Sequence, residues 1–198
     1  MEPAATVPNG ALRHEQGLYV EDDFYDHADS VYAEIEPRLP SSRDPGAFTS
    51  YVGARAFNFL SAPIERVLSR DRVGPLVGTL SAWAKDLLNA HHVSTPQLRV
   101  YADGGGRALL RDDVDAAWHY VLSLTRSESA SEGLVTVLVE ELGEASRREL
   151  RVSVARTVRL RLSFNRLLVH SASSPYAIER SRYTNPREAT VFLEGYLW

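Results

Sequence analysis

The chain contains no cysteine. Disulfides, thiolate nucleophiles and sulfur-ligated metal sites are therefore excluded, and any metal would need His, Asp or Glu ligands. Lysine is nearly absent too. Lys85 is the only lysine among 22 Lys and Arg residues, an Arg-for-Lys skew of the kind a GC-rich bacterial genome produces. Long apolar runs are missing: no stretch approaches the ~20 residues a membrane span needs, and no basic–apolar–small leader opens the chain. Nor is there a basic excess. The formal net charge is −4 and the pI is about 5.9, whereas a nucleic-acid binder carries a basic patch or stripe. The expectation is a soluble cytoplasmic protein with neither nucleic acid nor membrane as partner. Its oligomeric state is not indicated.

What is present suits one well-packed domain: 198 residues, of which 44% are hydrophobic. Met1 to Gly17 has two prolines and few large apolar side chains, and reads as a flexible lead-in to a single domain over 18–198. Ala28, Val31, Tyr32 and Ile35 fall at helical spacing, and Pro37 ends the run. The acidic cluster Glu21, Asp22, Asp23 and Asp26 before it suits a helix start. Residues 40–56, rich in Ser, Pro, Gly and Arg, read as a loop or lid-like excursion. A second helix is expected after Pro75, with Leu76, Val77, Leu80, Trp83, Leu87 and Leu88 as the stripe that backs a sheet.

From Gln97 the period changes from helical to alternating. Leu98 and Val100, then Tyr120, Leu122 and Leu124, then Val135, Val137 and Val139 alternate as strands do. Val158, Leu160, Leu162 and Phe164 interleave with Arg159, Arg161 and Ser163, one face buried and the other wet. Arg166 to His170 and Thr190 to Trp198 supply two more strands. Helices first and then many short strands indicate an α+β protein with helices packed outside a β-sandwich or barrel. Gly104-Gly105-Gly106 precedes no helix and reads as a turn, not a phosphate cradle. No G-x-S-x-G elbow is present.

Three segments carry a family resemblance. LRVYADGGGRALLRDDVDAAWHYVLSLT (98–125) resembles the stretch of prolyl-hydroxylase-like 2-oxoglutarate oxygenases that leads from a strand tyrosine through a glycine turn to the His-x-Asp motif. FNRLLVHSASSPYAIE (164–179) resembles the strand and turn that present the family's second iron-binding histidine, and NPREATVFLEGYLW (185–198) resembles the last strand, where an arginine binds the far carboxylate of 2-oxoglutarate. The resemblance implies a double-stranded β-helix, a jelly-roll or cupin-like barrel, with the N-terminal helices packed on one sheet.

The family's chemistry needs two His and one carboxylate on one face of the iron. Here the His-x-Asp position reads Arg111-Asp112-Asp113, or Leu110-Arg111-Asp112 if the turn is one residue shorter, and the distal-histidine position reads Tyr176, so neither imidazole is where the resemblance asks for it. No cofactor is favoured. Fe(II) and 2-oxoglutarate apply only if an atypical ligand set is used, and His119 and His170, both on expected strands, with Asp113 or Asp115, are the alternative ligands. His119 is out of phase with Tyr120, Leu122 and Leu124, so one of the two sets faces away from the cavity.

Without iron, the resemblance makes Arg111, Asp113 and Tyr176 the catalytic candidates: a positive charge and a carboxylate at the metal's place, and a phenol that donates a hydrogen bond or acts as a general acid. Arg187, with Tyr101 and Tyr120, is the candidate set for binding a substrate or its carboxylate, since a buried arginine asks for a bidentate partner. Alternation puts Arg187 in phase with Ala189 and Val191. Three functions stay open: a metal-independent small-molecule tailoring enzyme of bacterial specialised metabolism performing cyclisation, isomerisation or elimination; an active Fe(II)/2-oxoglutarate dioxygenase; and a non-catalytic binding or regulatory pseudo-oxygenase.

Overall fold

The alternation in the second half of the chain sorts apolar side chains onto two faces, and the computed structural model shows what covers each. It describes residues 13–15, 17–40, 46–53, 57–101, 105–110, 114–126, 134–142, 153–179 and 189–198. Twelve strands form one curled antiparallel sheet: β1 (Arg13–Glu15), β2 (Leu18–Glu21), β3 (Thr49–Gly53), β4 (Phe57–Pro63), β5 (Gln97–Tyr101), β6 (Gly106–Leu110), β7 (Trp118–Ser123), β8 (Leu134–Leu142), β9 (Ser153–Arg161), β10 (Leu167–Ser171), β11 (Tyr176–Ile178) and β12 (Thr190–Leu197). Their order is β1-β2-β10-β7-β12-β5-β4-β6-β11-β8-β9, with β3 paired to β4. Two four-stranded sets emerge, β10-β7-β12-β5 and β6-β11-β8-β9, and β4 joins them by pairing with both β5 and β6. From β5 to β12 the chain passes repeatedly between the sets, which makes this a jelly-roll half-barrel of the double-stranded β-helix kind.

Two apolar clusters flank the first set. On its outer face Leu98, Val100, Tyr120, Leu122, Leu167, Val169, Val191 and Leu193 pack against helices α1 (Ala28–Ile35) and α2 (Arg70–Leu88). On its inner face Tyr101, Val121, Leu168 and Phe192 meet Val135, Val137, Val158, Leu160 and Ile178 of the second set. All four residues expected to form the inner stripe of α1 are buried. In α2 the buried residues are Leu76, Leu80 and Ala84, each leucine worth ~1.5–3 kcal/mol relative to exposure.

The helix starts earlier than expected. It begins at Arg70, leaving Pro75 inside it rather than in its first turn. Ser69 stands at its N-cap position without a side-chain cap bond to the helix and is held by the α1 residue Glu34, whose carboxylate accepts the Ser69 N–H at 2.7 Å and hydroxyl at 3.1 Å. The stretch 40–56 is not all loop, because Thr49–Gly53 is strand β3. Arg13–Glu15, inside the stretch read as a lead-in, is strand β1. These strands escape a pattern reading because they are short or exposed; Tyr51 and Val52 face solvent, so β3 lacks one buried row. The acidic residues before α1 also do more than favour its dipole. Glu21 accepts the Trp83 indole N–H, and Asp22 takes both an Nε–H and an Nη2–H of Arg166. Among the described residues no helix is long and apolar enough to cross a membrane.

Candidate functional site

Strand β12 is central, hydrogen-bonded to β5 on one side and β7 on the other, and buried on both faces. A charged residue in such a strand has no water to turn to. Glu194 is that residue: Val191, Leu193 and Leu197 face the helices, and Glu194 faces the barrel interior with 1% of its surface exposed. Four groups meet its carboxylate. Arg99 Nη1 donates to Oε2 at 2.7 Å, the Tyr176 hydroxyl donates to Oε2 at 3.1 Å, and the Tyr101 hydroxyl donates to Oε1 at 3.1 Å. His119 Nε2 lies 3.4 Å from Oε2.

These partners come from alternation on neighbouring strands. Arg99 and Tyr101 are the inward positions of β5, between Leu98 and Val100 on the helix side. His119 is the inward neighbour of Tyr120 on β7 and stands directly across from His170 of β10. The two imidazoles touch, His119 Nδ1 to His170 Nε2 at 3.0 Å, and His170 Nδ1 reaches the Ser171 carbonyl at 2.9 Å. The Tyr176 ring stacks on His119 with centroids 4.7 Å apart, and the Arg107 guanidinium lies 4.1 Å from the centroid of the same ring. Gly195 lets β12 pass over Tyr120, because a Cβ there would come within 2.5 Å of the Tyr120 hydroxyl and of Ser94 Oγ.

The charge states follow from this packing. Burial alone would raise the Glu194 pKa, but Arg99, together with the hydrogen bond and charge of His119, outweighs it and lowers it from 4.5 to about 2. Glu194 is therefore a carboxylate throughout the physiological range. Burial and the Glu194 charge push the phenols of Tyr101 and Tyr176 well above the ordinary value of 10, so both are neutral donors. Burial opposes the charge on Arg99, yet Glu194 holds it firmly protonated. The cluster thus offers one fixed anion, one fixed cation, two neutral phenols and two imidazoles.

The structure brings together two of the six candidate residues, Tyr101 and Tyr176, through Glu194. Tyr120 is not with them. It lies on the helix side of β7 with its hydroxyl on the Ser94 carbonyl at 3.3 Å, because its phase is that of Leu122 and not of His119. Arg111, Asp113 and Arg187 lie outside the described residues. Ala189 and Val191, the residues used to argue the phase of Arg187, belong to the helix-facing cluster. Asp115 is exposed, and its carbonyl accepts the Trp198 indole N–H.

Sequence reasoning missed Glu194 and Arg99 and set His119 and His170 aside. A signal existed: Arg99 stands between Leu98 and Val100, His119 between Trp118 and Tyr120, and Glu194 between Leu193 and Gly195, and a strand covered on both faces must pair such residues.

Comparisons with known proteins agree with this architecture. A prolyl hydroxylase from Trichoplax adhaerens, solved with a hypoxia-inducible-factor peptide, superimposes with a TM-score of 0.63 at 12% identity, covering 92% of this chain and 84% of that one. A prolyl-4-hydroxylase from Pseudomonas putida gives 0.62 at 13% identity, covering 92% of each chain. The α-ketoglutarate-dependent carbocyclase SnoK of nogalamycin biosynthesis gives 0.62 at 12% identity, covering 92% of this chain and 80% of that one. No protein-family model matches the chain, and no curated protein matches it in sequence. The chain has the fold of the 2-oxoglutarate/Fe(II) oxygenases.

The described residues do not fit the iron centre that this fold implies. Tyr176, at the position the resemblance gives to a histidine ligand, spends its hydroxyl on Glu194, and its raised pKa makes it a poor phenolate ligand. A guanidinium already lies against its ring. His119 Nδ1 is taken up by His170 Nε2 at 3.0 Å, and His119 Nε2, 3.4 Å from Glu194 Oε2, makes no hydrogen bond. Among the described residues no group of three or more His, Asp or Glu is arranged to hold a metal ion.

Proposed function

We propose that this protein is a small-molecule tailoring enzyme that uses the oxygenase barrel without iron, by acid–base chemistry of the cyclisation, isomerisation or elimination type, in bacterial specialised metabolism. The observation that carries this reading is the Tyr176–Glu194–Arg99 arrangement: a neutral phenol hydrogen-bonded to a permanently ionised carboxylate, beside a guanidinium, where the resemblance expects a metal ligand. Such a set polarises a carbonyl or hands over a proton. In this reading Tyr176 is the acid, Arg111 and Asp113 complete the catalytic set, and Arg187 with Tyr101 anchors a substrate carboxylate. Two structural neighbours support the reaction class, SnoK being described as a carbocyclase and SnoN as an epimerase, although both are described as α-ketoglutarate-dependent.

A second reading has its own observation. All four groups around Glu194 are protein groups, and a carboxylate so fully satisfied also suits a non-catalytic pseudo-oxygenase that keeps the barrel as a binding scaffold.

The first test is the purified protein's iron content and its release of succinate from 2-oxoglutarate. Both are expected to be negligible, and stoichiometric iron with succinate release would establish an active dioxygenase instead. Mass spectrometry of candidate carboxylate-bearing substrates then separates the remaining readings. Products of unchanged mass, or lighter by one water, that disappear in Tyr176→Phe and Arg187→Ala support the enzyme, whereas ligand binding without any product supports the scaffold.

A further inference from the structure

The helix side of the protein carries a cavity that the barrel chemistry does not use. Two short 3₁₀ turns, Glu36–Arg38 and Ile64–Arg66, each end in an arginine. Each arginine is followed by an apolar residue of the helix side: Leu39 packs against the apolar cluster there, and Val67 belongs to it. The ends of the two turns meet at one cavity of about 450 Å³, walled also by Pro37, Gly46 and Ala47. Gly46 and Ala47 come from the excursion of residues 40–56. The Gly46 backbone is left-handed at φ 56°, and a Cβ built there would meet no atom within 4 Å, so the space beside it is open. The volume falls within the ~300–1,000 Å³ of small-molecule sites.

The charge in this cavity is one-sided. Arg38 and Arg66 line it, and among its described lining residues there is no carboxylate. Both guanidinium groups can take a ligand. Arg38 Nη2 lies 3.8 Å from Glu34 Oε1, a long contact to an oxygen that already accepts the Ser69 N–H at 2.7 Å. The Arg38 side chain is 50% exposed, so solvent screens that pair and a better-placed acceptor displaces it. Arg66 is exposed and has no ion-pair partner among the described residues. The rest of the lining is apolar apart from backbone. A solvated surface arginine needs no apolar wall beside it. Two arginines over such a wall, with no acid in the lining, match a ligand that has one anionic end and an apolar body.

We propose that this cavity binds a small organic anion, its carboxylate held by Arg38 and Arg66 and its apolar body lying against Leu39, Ala47 and Val67. A planar carboxylate suits the guanidinium fork, which offers two parallel donors. The lining holds no acid or nucleophile, so the cavity binds without reacting. It is separate from the Glu194 cluster of the barrel interior and does not rest on the acid–base function proposed for that cluster.

The test is titration of the full chain with benzoate at physiological ionic strength, followed by the ¹⁵N NMR shifts of the Ala47 and Val67 amides. Benzamide and inorganic phosphate are the comparators. Saturable benzoate binding that moves both amides is expected. Benzamide, which lacks the charge, and phosphate, which lacks the apolar body, should each bind at least roughly tenfold more weakly. Arg38→Gln combined with Arg66→Gln should weaken benzoate by more than roughly tenfold. Ala47→Phe, which fills the cavity and leaves both arginines in place, should do the same. Arg70→Gln removes an exposed charge outside the cavity and should leave binding unchanged. Absence of saturation overturns the proposal. Equal binding of benzamide or phosphate overturns it too, as does a loss in Arg70→Gln as large as in the double variant, which would mark diffuse charge attraction. If Ala47→Phe does not fold, the three ligands on the parent protein decide alone.

Discussion

The two faces of the set β10-β7-β12-β5 are built from the same strands and solve opposite problems. Toward α1 and α2 the buried residues of the face are leucine, valine and one tyrosine, Tyr120, whose hydroxyl donates to the Ser94 carbonyl. Toward the barrel interior the same strands present Arg99, Tyr101, His119, His170 and Glu194 among apolar side chains. The helix face tolerates exchange of one apolar group for another, because burial is non-directional. The interior face depends on partners and angles, since a buried charge or hydroxyl without its mate keeps the full cost of losing water. Chemistry is expected on the side where that dependence lies.

The comparison can be broken at its most exposed point, the buried carboxylate. Glu194→Ala leaves Arg99, Tyr101, Tyr176 and His119 without their common acceptor, and is expected to cost ~3–5 kcal/mol in urea denaturation. The pair replacement Arg99→Met with Glu194→Leu should regain part of that loss, since it spares the unpaired charge but still leaves the Tyr101 and Tyr176 hydroxyls without their acceptor. A single-variant cost below ~1 kcal/mol would mean the interior face is held by packing like its opposite.

Next in size is acid. The Glu194 pKa falls from 4.5 unfolded to about 2 folded, so its contribution is fully present above pH 4.5 and is lost as pH drops toward 2. That difference corresponds to ~3 kcal/mol. Denaturation midpoints measured across this interval should converge between the parent protein and Glu194→Gln, and parallel curves would contradict the assignment.

On the opposite face, Leu193→Ala removes a fully buried side chain and should cost ~3 kcal/mol with no dependence on pH in the same interval. The smallest effect is expected at Gly195, on the same helix-facing side of β12 as Leu193. Gly195→Ala drives a Cβ to within 2.5 Å of the Tyr120 hydroxyl, and should lower stability by ~1–3 kcal/mol, readable as a lowered melting temperature. A neutral result would show that the Tyr120 ring moves aside freely.

Much of the architecture was legible from the chain. The helix of Ala28–Ile35, the period-2 strands and their order through β12 follow from spacing, since a strand covered on one or both faces has to alternate or run apolar. The strands before α2 were not legible, nor were the short β6 and β11 after it. β2 has four residues, and β3 is an exposed hairpin partner whose residues carry no buried row. Of the site, Tyr101 and Tyr176 could be named because they sit in segments with a family resemblance. Tyr120 was named on the same ground and stands elsewhere, because resemblance does not report phase.

By itself, the sequence determined that no thiol chemistry is available, that the second half alternates, and that histidine is missing at Arg111–Asp113 and Tyr176. It also determined that His119 and Tyr120 point in opposite directions. Only the tertiary structure decided which of those directions is the barrel. Periodicity is blind to the sign of a face, and the helices that cover Tyr120, Leu122 and Leu193 are what turn His119 and Glu194 inward to meet His170, Arg99 and Tyr176. These residues come from five strands scattered over residues 99–194; Arg99, His119 and Tyr176 meet at the Glu194 carboxylate, and His170 reaches it only through His119.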